Sequence, residues 1–232
     1  MDPTNNLIFG AALFVGSHFL MSHPLRASLA GRIGERGFQI VYSVVALATF
    51  ILTVRAYQGM PAELPLWPVS DGLWAISTIL VLLASVLFVG SLIGNPAMAA
   101  PGAARAAAAP ARGVFAITRH PMMWGFSLWA VAHALVVPTS AQLILSGAVI
   151  LLALGGSLGQ DRKKEKLMGA VWQDWQLRTA FVPFSGQFNG RLSWADAMPR
   201  PHALFGGIVV WLVASWAHGA LGYMSAGLWR WF

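Results

Sequence analysis

Six apolar runs, parted by polar connections, set the pattern of the chain and predict six membrane-spanning helices. They extend from about Asn6 to Met21, Phe38 to Ala56, Leu73 to Gly94, Ile117 to Leu135, Ala141 to Leu158 and Leu204 to Leu221. The fourth is the most informative. Its opening, Ile117-Thr118-Arg119-His120-Pro121, leads from a charged edge into a stretch, Met122 to Pro138, with no formal charge. Proline lacks an amide hydrogen and fits the first helical turn, so His120 and Pro121 mark a helix start, with Thr118 available as its cap. His133 follows later in the same run. At about 1.5 Å per residue, His120 and His133 stand roughly 20 Å apart along the axis, too far for one compact site.

The connections alternate in charge. Arg26, Arg32 and Arg36, with Glu35 as the lone acid, follow the first run, and Glu63 and Asp71 with Trp67 separate the second from the third. NPAMAAPGAARAAAAPARG, carrying Arg105 and Arg112, reads as a flexible or surface-lying connection. Val137-Pro138-Thr139 is so short a turn that the fourth and fifth helices must be antiparallel neighbours. After the fifth run comes QDRKKEKLMGAVWQDWQLR, an amphipathic basic segment expected in the interface with Trp172 and Trp175 at headgroup level. With Arg55 snorkelling at the end of the second run, the positive-inside rule puts the basic connections in the cytoplasm and both termini across the membrane. No Arg or Lys precedes the first run and no small-residue cleavage site follows it, so it reads as a span and not a cleaved signal. The expected fold is all-α: a polytopic integral membrane protein, one domain over residues 1–232, with an interfacial segment between spans five and six.

Composition agrees. Hydrophobic residues make up 57% of the 232 and charged residues only 10%, where a soluble domain carries about a quarter charged. The net charge of +7 needs no nucleic acid to explain it, because the basic connections account for it. Membrane lipid is the expected partner, with an apolar small molecule as candidate ligand. There is no cysteine, which excludes disulfides, thiolate metal sites and thiol nucleophiles. No Asp or Glu falls inside a run, which argues against a proton pump or a carboxylate-dependent cation transporter.

The remaining polar chemistry is imidazole, suited to ligating iron or zinc while neutral. His23, His202 and His218 fall near helix ends and read as end or headgroup contacts, whereas His18 and His133 interrupt apolar runs and need partners. Met21, Met122 and Met123 offer a thioether as a second ligand. Gly10, Gly16 and Ser17 in the first run and Gly147, Gly155 and Gly156 in the fifth read as close helix contacts.

GSHFLMSHPLR, GERGFQIVYSVVAL and ITRHPMMWGFSLWAVAHAL, in that order, resemble the NnrU family of bacterial inner-membrane proteins. That family is similar to the 15-cis-zeta-carotene isomerases, membrane enzymes that hold haem b through histidines, and its name comes from an association with nitrite and nitric oxide metabolism. The resemblance implies haem b at His18 and His133, with His120 of the Arg-His-Pro step as fallback. By helical rise, His18 and His133 fall in different halves of the membrane, roughly 10–15 Å apart in depth. Substrate and redox partner stay open.

RHPMMWG with the later EKLMGAVWQDWQLRTAFVPF is also similar to the isoprenylcysteine and phospholipid methyltransferases. That resemblance implies S-adenosylmethionine at Arg119, His120, Gly125, Glu165 and Arg178, a carboxylate taking the cofactor's amino group and an arginine its carboxylate. Lys164 stands where a second acid is usual, and Trp172 and Trp175 where tyrosines are. The plainer reading makes Asp161 to Lys166 a basic face beside lipid phosphates. A non-enzymatic membrane accessory factor is the third possibility.

Overall fold

The computed structural model describes residues 2–98 and 101–232. Met1 and the Ala99-Ala100 step of the alanine-rich connection lie outside the described residues. Every regular element described is helical. Helix α1 spans Pro3–Ser22, α2 Arg26–Gln58, α3 Asp71–Gly90, and the short α4 and α5 span Ala103–Ala108 and Val114–Ile117. Helix α6 spans Pro121–Val136 and α7 Ser140–Ile150, running on through a π-helical turn, Leu151–Gly155, into α8, Gly156–Met168. Helices α9, Ala170–Leu177, α10, Ser185–Phe188, and α11, Pro201–Ala220, complete the set before a 3-10 turn at Gly227–Arg230.

Four of these rods, α2, α3, the α7–α8 rod and α11, are long and apolar enough to cross a membrane. Helix α6 is apolar but only 16 residues, about 24 Å. Helix α1 has the length but carries Asn5, Asn6 and His18. The protein is a polytopic, membrane-type helical bundle. The long helices pack in the order α2, α1, α7, α6, α3, α11.

Close approaches between helices use small residues and hydroxyls. A Cβ on Gly10 would meet the Thr53 backbone at 3.2 Å, one on Gly125 the Ala84 carbonyl at 2.9 Å, and one on Gly207 the Val86 Cα at 2.6 Å. Gly155 is similarly filled by Phe19, but Gly16, Gly147 and Gly156 face open space, contrary to the packing role expected of them. Ser77 Oγ donates to Ala132 O and Ser146 Oγ to Ala130 O, both at 3.0 Å, tying α3 and α7 to the backbone of α6. A hydroxyl satisfied this way costs little in hydrocarbon.

Several boundaries differ from expectation. The connection after the first run is mostly helix: α2 begins at Arg26 and kinks at Gly34, whose φ of 74° favours glycine. The α6 helix starts at Pro121 as expected, but Thr118 does not cap it; its hydroxyl donates to Phe181 O at 2.6 Å. The basic stretch after the fifth run does not begin a separate surface segment, because α8 continues α7 and turns at Gly169 into α9. Trp172 and Trp175 are 0% and 2% exposed, packed with Ala97 and Ala107 in a small second core and not standing at headgroup level. The alanine-rich connection thus supplies packing surface as well as length.

Candidate functional site

The basic connections gather at one end of the bundle. There α8 reaches back to Lys164, whose Nζ donates to Met98 O at 2.8 Å, and Arg178 donates to Ala107 O and Ala109 O at 2.8 and 3.0 Å. Under this layer is an ion cluster. Arg119 Nε donates to Asp161 Oδ2 at 2.9 Å and His120 Nε2 to Asp161 Oδ1 at 2.8 Å, while Arg119 lies over the Phe181 ring. His120 is 2% exposed and its Nδ1 has no partner among the described residues. Asp161 clamps the start of α6 to α8 and takes the Nε2 proton of His120, whose buried Nδ1 lines neither of the two large cavities. Asp161 and Lys164 are buried, which removes them from the solvated face expected over Asp161 to Lys166.

The methyltransferase-type residues do not surround a common cavity. Arg119 and His120 are held by Asp161, Gly125 packs on α3, exposed Glu165 accepts from Gln173, and Arg178 is bound to Asp174 and two carbonyls. Of the five, Gly125 alone lines either of the two large cavities.

Those cavities share Phe126 and Trp129 as walls; one reaches the basic end at Lys163, and the other runs along α3 from Trp74 to Phe88 and reaches the far end at Val137. The basic-end cavity, about 740 Å³, lies among α1, α2, α6 and α7–α8 and holds His18, His23, Met123 and Lys163. The far-end cavity, about 750 Å³, lies among α3, α6, α7 and α11 and holds His133, His218, Tyr57 and Gln142. His18 and His133 are therefore not brought together. His18 shares its cavity with Met123, and His133 shares its own with His218.

Three histidines use one device. His18 Nδ1 bonds Phe14 O at 2.7 Å, His133 Nδ1 bonds Trp129 O at 2.8 Å, and His218 Nδ1 bonds Ala214 O at 2.8 Å. A carbonyl only accepts, so each Nδ1 carries the proton and each Nε2 keeps its lone pair, the tautomer a metal requires. The His133 and His218 ring centroids are 6.1 Å apart. Two imidazoles each bonded at about 2.0–2.1 Å to one ion would have their rings at roughly this separation.

The donor set fits haem better than a bare ion. Among the described residues no group of three or more His, Asp or Glu side chains converges as a metal site, and a bare zinc takes about four ligands from the protein or water. Haem brings its own equatorial nitrogens and asks for axial ligands only. The far-end cavity is mostly apolar, and two of its lining residues, Thr78 and Trp211, bury an Oγ1 and an Nε1 that have no partner among the described residues.

His218 was expected to be a helix-end contact. Charge alternation already gave it the same depth as His133, since the fourth and sixth spans run in the same direction; what no pattern along the chain revealed is that α6 and α11 both flank α3.

Fold and site together define a polytopic helical membrane protein with two large cavities, one of which holds the imidazoles of His133 and His218. The model of the NnrU protein family matches residues 6–226, and the chain belongs to that family. It is similar to the chloroplastic 15-cis-zeta-carotene isomerase of Arabidopsis thaliana, 34% identical over 79 residues, and to that of Zea mays, 33% identical over 79 residues. Each match covers 34% of this chain and 22% of the relative. No solved structure matches.

Proposed function

We propose that this NnrU-family protein binds haem b in the far-end cavity, where His133 and His218 would hold it, and acts there on an extended apolar molecule in an isomerase-like reaction. The observation that carries this reading is the pair of cavity imidazoles with ring centroids 6.1 Å apart, each with Nδ1 spent on the preceding turn. The similarity to proteins named 15-cis-zeta-carotene isomerase supports an apolar substrate. Haem bound there supplies an iron centre whose potential the two imidazoles help set. The protein's part is to fix the imidazole tautomers, exclude water with apolar walls such as Val81 and Leu145, and admit substrate from the lipid.

The spectrum of protein purified from haem-supplied cells tests it. A sharp Soret band with low-spin α and β bands on reduction is expected for the wild type. His133→Ala and His218→Ala each lose the haem or turn it high-spin, while His18→Ala and His202→Ala leave the spectrum intact. If His18→Ala abolishes the spectrum and His218→Ala does not, the haem belongs to the basic-end cavity, with His18 and Met123. No Soret absorption in the wild type sinks the haem reading altogether.

The membrane assigned is the bacterial inner membrane, with the basic end cytoplasmic and both termini periplasmic, on the strength of the charge alternation. Reporter fusions after Arg105 and after Asp71 are expected on opposite sides, the first in the cytoplasm; the same side for both removes this orientation.

A further inference from the structure

The basic-end cavity carries chemistry that the haem reading leaves unused. Its walls include Phe14, Phe19, Phe50, Phe126 and Trp129, and Lys163 is the one Lys, Arg, Asp or Glu on its lining. Phe50, Phe126 and Trp129 line the cavity with much of their surface accessible. At about 740 Å³ it falls within the range of about 300–1,000 Å³ typical of small-molecule sites.

We propose that this cavity binds a single-chain fatty carboxylate, its apolar tail among the aromatic walls and its head on Lys163. Lys164, the next residue, is committed to Met98 O, but no hydrogen bond occupies Lys163 Nζ among the described residues. The one carboxylate acting on Lys163, Glu35, is paired with Arg26, which leaves the ammonium for an outside anion. His23, beyond the end of α1 and over Gly159, is shifted toward the neutral form by burial and then by Lys163 and Arg162. It therefore adds a neutral imidazole beside Ser22 and Tyr42 at the same end of the cavity. One ammonium matches one carboxylate. A phosphomonoester, carrying about −1.5 to −2 charge, asks for more. The site is at the opposite end of the bundle from His133 and His218 and does not depend on haem.

Tritiated palmitate binding to the full chain in phosphatidylcholine nanodiscs tests the proposal, with hexadecanol and lysophosphatidate as competitors. Saturable binding of one palmitate per chain is expected, with hexadecanol about tenfold weaker because it lacks the charge-assisted bond. Lys163→Gln is expected to bring palmitate down to the level of hexadecanol and to leave hexadecanol unchanged. His133→Ala is expected to change neither. A diazirine-bearing palmitate should label α1, α2, α6 or α7. Equal affinity for palmitate and hexadecanol, an unaffected Lys163→Gln variant, labelling elsewhere, or stronger competition by lysophosphatidate would each overturn the assignment. So would displacement of palmitate by haem in the wild type but not in His18→Ala.

Discussion

The rings of His133 and His218 face the same cavity with centroids 6.1 Å apart, although 85 residues of chain separate them. Each is oriented by a hydrogen bond to its own helix, at Trp129 O and Ala214 O. The pair therefore needs no third side chain to hold it, and its chemistry depends on α6 and α11 keeping their places beside α3.

Replacing one imidazole by a thioether tests the pair without emptying the site. In the haem-loaded protein, His218→Met is expected to keep six-coordinate, low-spin haem while raising the midpoint potential, since Met/His ligation favours the reduced iron over bis-imidazole ligation. Redox titration followed at the α band reads the shift. An unchanged potential places His218 outside the iron's coordination sphere.

The Arg119–Asp161–His120 cluster is buried, with side chains 13%, 8% and 1% exposed. Removing the carboxylate strands a cation in a dry site, so Asp161→Asn is expected to cost about 3–5 kcal/mol. The double variant Arg119→Met, Asp161→Leu is expected to lose much less, because it leaves no unpaired charge. Denaturant unfolding in detergent compares them. Equal losses would mean that the cluster acts through shape and not through charge.

Within the regular helices a glycine matters where another helix touches it. Gly207→Ala would drive a Cβ into Val86 Cα at 2.6 Å and is expected to cost about 1–3 kcal/mol. Gly147 has nothing within 4 Å of its Cβ position, so Gly147→Ala is expected to be neutral or to stabilise by up to about 1 kcal/mol through helix propensity. Thermal unfolding of the two variants in the same detergent gives the order, and the reverse order would place the α3–α11 contact elsewhere.

Trp172 distinguishes a packed layer from a lipid-facing one. It is fully buried against Ala97, Ala107 and Trp175, so Trp172→Ala is expected to destabilise by about 3–5 kcal/mol. A tryptophan at headgroup level would lose far less. Fluorescence quenching by spin-labelled lipid gives an independent reading: weak quenching of Trp172 agrees with burial, and strong quenching contradicts it.

The six helices were legible in the chain because apolar runs of membrane length and alternating basic connections are local properties. Pro121 announced the start of α6, since a residue without an amide hydrogen has few other places to stand in a helix. The connection after the first run misled because arginines and glycines suggested a loop, whereas α2 is helical from Arg26 onward across a kink at Gly34. Amphipathic spacing likewise suggested that Trp172 and Trp175 meet lipid; the short helix α4, built from alanines with small side chains, lets α9 turn them inward.

The candidate site divides in the same way. His18 and His133 were recognisable as polar groups inside apolar runs, and the depth of each followed from helical rise. Which histidine met which was decided by the lateral order α2, α1, α7, α6, α3, α11, and that order placed His133 with His218 and His18 with Met123. Helical rise fixes how far along a membrane-crossing helix a residue stands, but not which helix it faces. Lateral order comes from contacts between helices, such as Gly207 on Val86 and Gly125 on Ala84, whose complementarity exists only once both surfaces are in place.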